Sequence, residues 1–182
     1  MNFNFLTTLD TSEAAAELAI NAPLWDAFTL RQNLKGSPHG DTKCILLRGD
    51  FCRPFALGVT RQRTYLGEQL PACIALVNAA LAGLPVVEVG MAMAVLLKPG
   101  GRILPHPDEG EYAGHFDRMH IVVTKNPESW LLCGDELAYP EQGDLFFFNH
   151  HIMHSAGNDS DKGRVHIIVD VKLKEPQWQF QQ

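Results

Sequence analysis

The sequence predicts a mainly β protein in which helices from the first 85 residues pack on a C-terminal β-barrel or sandwich. Between Val86 and Leu173, short apolar segments alternate with turn signals such as Asn126-Pro127, Gly134-Asp135 and Gln142-Gly143. Many short strands at this spacing favour an all-β barrel or sandwich over an α/β sheet. Before Val86, apolar residues recur instead at helical spacing.

Two helices and one strand are predicted in the first 85 residues. Residues 11–20 begin with Thr-Ser-Glu and continue as Ala-rich sequence, which is the pattern of a capped helix. Residues 71–84 carry apolar side chains at helical spacing, and Gly83 ends that helix. The apolar run 44–47 predicts a short strand, and residues 48–50 (Arg-Gly-Asp) turn out of it.

Five strands are predicted in the C-terminal half, at Val86–Leu97, Arg118–Thr124, Ser129–Cys133, Asp144–Phe148 and Arg164–Leu173. A chain of 182 residues is long enough for one well-buried core, so residues 1–182 are expected to form a single domain. Residues 1–85 would form a helical N-terminal part and one wall of the substrate site. Residues 86–174 would form the β core, and residues 175–182 a tail.

Composition excludes several classes of protein. The formal net charge is −6 and no cluster of Lys or Arg stands out, so no nucleic-acid partner is expected. The N-terminus lacks the pattern of a signal peptide and no apolar run is long enough to span a bilayer. The cysteines Cys44, Cys52, Cys73 and Cys133 stand singly, as buried thiols do. We therefore expect a cytoplasmic protein without a membrane partner.

His106-Pro107-Asp108 is the first candidate for metal chemistry. In extended backbone, residues two apart point to the same face, so an imidazole and a carboxylate can converge on one cation here. One more histidine would complete the 2-His-1-carboxylate face of non-haem Fe(II) oxygenases, which leaves positions open for O₂ and a co-substrate. The pair alone is weak support, because loop residues of this kind also make turn hydrogen bonds.

The segment 150–154 (His-His-Ile-Met-His) offers the second histidine. Arg164 follows His154 by ten residues and begins a strand in which His166, Ile168 and Asp170 share its face. A guanidinium that faces inward needs an anionic partner, and a dicarboxylate co-substrate would supply one. Arg118 and His120 share a face of another strand in the same way.

The motifs Pro99-Gly100-Gly101, Arg118-Met119-His120, His154-Ser155, Asn158 and the strand 164–170 together resemble the aspartyl/asparaginyl β-hydroxylase family. The resemblance covers about residues 86–174. It implies a double-stranded β-helix of jelly-roll or cupin-like type, with Fe(II) as the metal, 2-oxoglutarate as co-substrate and O₂. It therefore also implies a dioxygenase that hydroxylates a C–H bond, with succinate and CO₂ as co-products.

Carried onto this sequence, the resemblance implies His106 and His154 as histidine ligands. Asp108 would complete the triad, as in bacterial members with a full HxD…H set, some of which are proline cis-hydroxylases. Arg164 would hold the distal carboxylate of 2-oxoglutarate, with Arg118 and His120 lining the rest of its pocket. His154 has this spacing to Arg164, whereas His150 and His151 would lie at the rim.

The expected substrate is either a small molecule, namely an amino acid, or a peptide side chain. The loop from Glu109 to Asp117 lies between two site elements and would form a lid. Two other functions remain open at this level. One is a cupin-like metal protein, either an isomerase or a dioxygenase that needs no keto acid, and the other is a non-catalytic binding module.

Overall fold

The computed structural model describes residues 1–49 and 66–178. The helices are α1 (Ser12–Ile20), α2 (Leu30–Asn33), α3 (Pro71–Ala82) and α4 (Glu111–His115), with 3₁₀ turns at Ala22–Asp26 and Gly67–Gln69. The strands are β1 (Phe3–Thr8), β2 (Thr42–Arg48), β3 (Val86–Leu97), β4 (Arg102–His106), β5 (Asp117–Thr124), β6 (Ser129–Cys133), β7 (Glu136–Ala138), β8 (Asp144–Phe148), β9 (His154–Asn158) and β10 (Arg164–Leu173). Asp50 of the predicted turn, Cys52 and the last four residues of the tail lie outside the described residues.

The ten strands form two antiparallel sheets. One has six strands in the order β1-β8-β5-β10-β3-β2, and the other has four in the order β4-β9-β6-β7. The two sheets face each other, and consecutive strands of the C-terminal half often lie in different sheets. This arrangement confirms the mainly β fold and the jelly-roll architecture.

The outer face of the large sheet carries the main hydrophobic core. Alternate residues of β5 and β10, including Ile121 and Ile167, are fully buried on this face. Leu18 of α1 and Val77 of α3 pack in the same cluster, so the N-terminal helices cover the sheet as predicted. Burying each large aliphatic side chain contributes about 1.5–3 kcal/mol, and this burial holds the two helices on the sheet.

A smaller apolar cluster fills the space between the sheets. Phe146 and Phe148 of β8 meet Leu131 of β6 and Ala156 of β9 there. The inner faces of β5 and β10 point toward the same interior. As the alternation predicted, His120, Arg164 and their same-face neighbours lie on this inner side.

Helix α1 has the predicted extent but not the predicted cap. The Thr11 hydroxyl makes no capping bond and donates instead to the carbonyl of Val123, at 3.2 Å. Asp10 accepts the backbone N–H of Ser12 at 2.9 Å. Helix α3 is confirmed, and its first N–H groups are satisfied from α1: Glu17 accepts from Ala72 and Cys73 at 2.9 and 2.8 Å.

Four strands were not predicted. β1 is an edge strand that pairs with β8 and buries only Phe3, so its apolar alternation is weak. β9 has the sequence His-Ser-Ala-Gly-Asn, without large apolar residues, yet it is buried throughout. β4 and β7 are short and lie beside β9 and β6 in the small sheet.

Cys44, Cys73 and Cys133 are free and buried, as expected. No helix among residues 1–49 and 66–178 is long and apolar enough to cross a membrane.

Gly157 of β9 tests the packing of the small sheet. A β-carbon at this position would clash with the indole ring of Trp130 on β6. We expect Gly157→Ala to lower the free energy of unfolding by about 1–3 kcal/mol, the usual cost of overpacking. Gly83→Ala is the matched control, because its β-carbon meets nothing within 4 Å and its φ of −91° suits alanine. Urea unfolding of both variants checks this, and equal losses would contradict it.

Candidate metal centre

His106, Asp108 and His154 come together at one end of the small sheet. His106 ends β4, His154 begins β9, and the two residues pair across these neighbouring strands. One ligand atom from each of the three side chains lies within 4.8 Å of the other two. The Asp108 carboxylate is 3.6 Å from Nε2 of His106 and 4.0 Å from Nε2 of His154.

Backbone carbonyls fix which nitrogen each histidine presents. Nδ1 of His106 lies 2.7 Å from the carbonyl of Leu104, and Nδ1 of His154 lies 2.9 Å from that of Ile152. A carbonyl only accepts, so each Nδ1 carries the proton and each Nε2 offers a lone pair. Nε2 of His106 is buried and has no hydrogen-bond partner. Burial lowers the pKa of His154 to about 4, which keeps it in the neutral, ligating form at pH 7.

These three side chains fit a divalent metal. Two imidazole nitrogens and a carboxylate oxygen form a donor set of borderline hardness, which suits first-row transition metals such as Fe(II). Their lone pairs converge on a small volume and, at His106, meet no donor from the protein. A bound cation would satisfy all three.

Two hydrogen bonds hold Asp108 in position. Nη1 of Arg118 donates to its carboxylate at 2.6 Å, and its own backbone N–H donates to the carbonyl of His150 at 2.8 Å. Burial raises the pKa of Asp108, but the Arg118 guanidinium outweighs this and keeps that pKa below its ordinary value. The carboxylate is therefore ionised before any metal arrives.

Arg118 bridges two carboxylates. Besides Asp108, it binds Asp170 of β10 through Nε at 2.8 Å. The Asp170 carboxylate also accepts a hydrogen bond from the Tyr112 hydroxyl at 2.6 Å. The hydroxyl oxygen of Tyr112 in turn accepts the backbone N–H of Met91 at 3.0 Å. Although burial lowers the pKa of Arg118, the two carboxylates raise it above its ordinary value. The predicted contact between Arg118 and the co-substrate remains a prediction.

The loop predicted as a lid is anchored in the structure. It folds into the short helix α4, and Tyr112 on that helix is bonded to Asp170 and Met91. His115 also contacts Glu88 of β3, at 3.0 Å. These bonds tie α4 to strands of the large sheet.

All six predicted site residues line one cavity. The triad lies on the small-sheet side, while Arg118, His120 and Arg164 belong to the inner face of the large sheet. Apolar side chains complete much of its wall: Val95, Ile103, Leu131, Phe148 and Ile168.

Arg164 is a buried cation that forms no ion pair with the described part of the chain. It is 4% exposed, its Nε lacks a hydrogen bond, and no carboxylate of residues 1–49 and 66–178 forms an ion pair with it. Burial lowers its pKa to about 10, so it remains charged at pH 7. Nearby, a ring nitrogen of His120 lies 3.3 Å from one of His166, and Nε2 of His120 has no partner. This end of the cavity is suited to an anion.

The positions of two residues beside the triad, His39 and His150, were not predicted from the sequence. His39 stacks edge-on against His106, with ring centroids 4.9 Å apart, although no motif marked it. His150 was expected at the rim but is 1% exposed, with Nδ1 at 3.3 Å from the Asp108 carboxylate. Its other nitrogen donates to the carbonyl of Phe116. His150 therefore packs behind the triad.

Comparison with known proteins gives the same picture. The family model "Aspartyl/Asparaginyl beta-hydroxylase" matches residues 5–174. Among solved structures, a prolyl-4-hydroxylase of Pseudomonas putida has a TM-score of 0.52 at 13% identity, covering 95% of this chain and 93% of that one. A viral collagen prolyl hydroxylase of Paramecium Bursaria Chlorella virus-1 has a TM-score of 0.55 at 10% identity, covering 96% and 97%. The epimerase SnoN from nogalamycin biosynthesis scores 0.59 at 17% identity, covering 94% and 78%. At these identities the likeness establishes the fold.

Arg118→Gln tests the buried ion-pair bridge. Removing this guanidinium leaves Asp108 and Asp170 without a counter-ion, and breaking such a pair costs about 3–5 kcal/mol of unfolding free energy. Arg102→Gln is the control, because Arg102 pairs with Asp159 at the surface, where a pair contributes at most about 1 kcal/mol. Urea unfolding of the metal-free proteins measures both losses. Comparable losses in the two variants would show that the buried bridge is not a stabilising element.

Proposed function

This chain belongs to the aspartyl/asparaginyl β-hydroxylase family, and from that premise we propose that it is an Fe(II)- and 2-oxoglutarate-dependent dioxygenase. It would hydroxylate a C–H bond of an amino acid or of an amino-acid side chain. The observation that carries this proposal is one cavity lined both by a His-Asp-His triad and by the guanidinium of Arg164, which has no ion-pair partner among the described residues.

The metal would be held by His106, Asp108 and His154. Three protein ligands on one face of an octahedron leave three positions for the co-substrate and O₂. When bound, iron supplies the oxidising chemistry: one oxygen atom of O₂ enters the substrate C–H bond, the other enters succinate, and 2-oxoglutarate loses CO₂. Two proteins of similar fold are described as a 2-oxoglutarate complex and as α-ketoglutarate-dependent, which supports this choice of co-substrate.

Arg164 would bind the distal carboxylate of 2-oxoglutarate. A guanidinium presents parallel N–H donors to a carboxylate, and neutralising it removes the cost of a buried lone charge. His120 would add a third donor. If His166 donates its Nδ1–H to Nδ1 of His120, then Nε2 of His120 carries a proton toward the cavity. In a metal-dependent isomerase, or in a cupin-like dioxygenase that needs no keto acid, no co-substrate carboxylate would neutralise Arg164.

The other cavity residues would set orientation and exclude water. Arg118 keeps the Asp108 carboxylate ionised and holds its position, so that the ligand is ready before the metal binds. Apolar residues such as Val95, Phe148 and Ile168 line the space beside the triad. A dry wall protects a reactive site from competing reactions with solvent.

His106→Ala tests the metal assignment. We expect this variant to lose stoichiometric Fe(II) binding, because one of three ligands is gone, and to form no succinate from 2-oxoglutarate. Anaerobic titration calorimetry with Fe(II) gives binding, and succinate release gives turnover, with Arg102→Gln as the control that retains both. Wild-type protein that binds neither Fe(II) nor 2-oxoglutarate would refute the proposed function.

Arg164→Leu separates the co-substrate from the metal. We expect Fe(II) binding to be kept while the affinity for 2-oxoglutarate falls roughly ten- to a hundredfold, since a charge-assisted bond contributes about 1.5–3 kcal/mol. Without ligand, the variant should unfold at higher urea than wild type, because an unpaired buried charge has been replaced by an apolar side chain. An unchanged affinity for 2-oxoglutarate would remove Arg164 from the co-substrate site.

A further inference from the structure

Two buried histidines face each other on the inner side of the large sheet. His120 on β5 and His166 on β10 are 6% and 2% exposed, and their Nδ1 atoms lie 3.3 Å apart. Ile168 lies opposite His120 in the strand register, so His166 is the diagonal neighbour of His120 on the same face. Phe146 packs against both rings, with ring centroids 5.3 and 6.2 Å away. Packing therefore holds the two imidazoles in fixed orientations.

Both rings are neutral at pH 7. Burial and the nearby charges of Arg118 and Arg164 hold the pKa of His120 well below its ordinary value. Burial and the charge of Arg164 do the same to the pKa of His166. A neutral imidazole has one N–H and one lone pair, so the contact between the two Nδ1 atoms holds one proton. The position of that proton decides whether Nε2 of His120 is a donor or an acceptor.

A second, smaller cavity beside His166 favours one of the two arrangements. His166 lines it together with Lys125, Ser129 and Arg164, and no carboxylate is among the described residues that line it. The Ser129 hydroxyl is buried there without a hydrogen-bond partner. Lys125 adds a positive charge, which its surface partner Glu141 balances in part. Donors and positive charge favour a lone pair on Nε2 of His166, which places the proton of this ring on Nδ1.

The charges on the metal side favour the same arrangement. The one positive charge of Arg118 is paired with the two negative charges of Asp108 and Asp170, so this group is negative as a whole. Arg164 lowers the pKa of both histidines, so its charge acts on both rings. A negative group on the cavity side of His120 favours a proton on Nε2. His166 is therefore the donor and His120 the acceptor in the contact between them.

A neutral donor suits the position of His120. Three arginines, Arg31, Arg118 and Arg164, already line the metal cavity, and an imidazolium would add a further repulsive charge. A neutral imidazole adds a hydrogen-bond donor without a charge, but it does so in only one of its two tautomers. A partner that fixes this tautomer in advance removes the cost of selecting it when a ligand binds.

We propose that His166 is a positioning residue, which donates its Nδ1–H to His120 and so holds His120 in the tautomer whose Nε2–H points into the metal cavity. There this N–H donates to the carboxylate of 2-oxoglutarate that Arg164 binds. The inference rests on the proposed function and assigns a residue that controls binding of the co-substrate. His166 does not line the metal cavity, so it acts on the co-substrate only through His120.

Nuclear magnetic resonance of the histidine ring nitrogens reads the tautomers directly. Protein labelled with ¹⁵N is measured without metal, and again with 2-oxoglutarate and Zn(II), which replaces Fe(II) because it is diamagnetic. The ¹⁵N shift and its couplings to the ring protons distinguish a protonated nitrogen from one with a lone pair. In both states His120 should be protonated at Nε2 and His166 at Nδ1. The reverse pattern in either state, or a cationic ring at pH 7, would overturn the proposal.

Anaerobic calorimetry of the Fe(II)-loaded protein measures the effect on the co-substrate. In His166→Leu the Kd for 2-oxoglutarate should rise about three- to tenfold, because one neutral hydrogen bond is lost, while Fe(II) affinity is kept. His166→Asn should recover part of the loss, since its amide N–H lies near the former Nδ1. Val169→Ala is the matched control: it removes buried volume on the other face of the same strand, so it should lower stability and keep the Kd.

A double-mutant cycle shows whether His166 acts through His120. In a His120→Leu background, His166→Leu should have no further effect on the Kd for 2-oxoglutarate. An equal loss in that background, an unchanged Kd in His166→Leu, or the same loss in Val169→Ala would refute the positioning role. Failure of the proposed function gives a different result, because wild-type protein would then bind no 2-oxoglutarate at all. Failure of this inference alone leaves wild-type binding intact.

Discussion

The guanidinium of Arg118 between Asp108 and Asp170 is the contact on which the site depends. It joins the end of β4 to β5 and β10, and Tyr112 extends the same bonds to α4 and β3. Without it, a metal-ligand carboxylate and a second buried carboxylate would face each other in a medium of low dielectric constant. These ion pairs therefore fix the two facing sheets relative to each other at Asp108, where a metal ligand must be positioned accurately. Apolar packing between Phe148 and the small sheet could not set that accuracy alone.

The other two arginines of the cavity differ from Arg118 in their lack of ion pairs with the described residues. Arg31 and Arg164 have no carboxylate partner among the described residues, and each has a buried nitrogen without an acceptor. A fold keeps such a group when a ligand uses it, since an apolar residue of similar size would be more stable there. In the proposed function, the desolvation cost of Arg164 would be offset when the 2-oxoglutarate carboxylate binds it. Binding of 2-oxoglutarate at Arg164 would therefore raise the folding stability of the protein.

Much of the fold and of the site followed from sequence periodicity. Alternation in Arg164–Leu173 placed Arg164 and Asp170 on the inner face because a buried strand repeats every two residues. The same rule failed for β9, where Gly157 must be small to admit Trp130, so that no apolar pattern marks a strand that is buried throughout. Periodicity also could not predict the contact between His39 and His106, because that contact depends on how the N-terminal part lies over the barrel. Local patterns predict faces of elements, whereas packing of distant segments decides which faces meet.

The charges of the cavity give a reason why the metal and 2-oxoglutarate would bind together. Three arginines and two aspartates of the site leave one positive charge, and a divalent metal raises it to three. The dianion 2-oxoglutarate lowers it to one again, which is the charge before either of them is bound. The metal without the dianion would leave three positive charges confined in a cavity with apolar walls, which is costly. Each of the two would therefore favour binding of the other, because opposite charges stabilise each other strongly in a cavity of low dielectric constant.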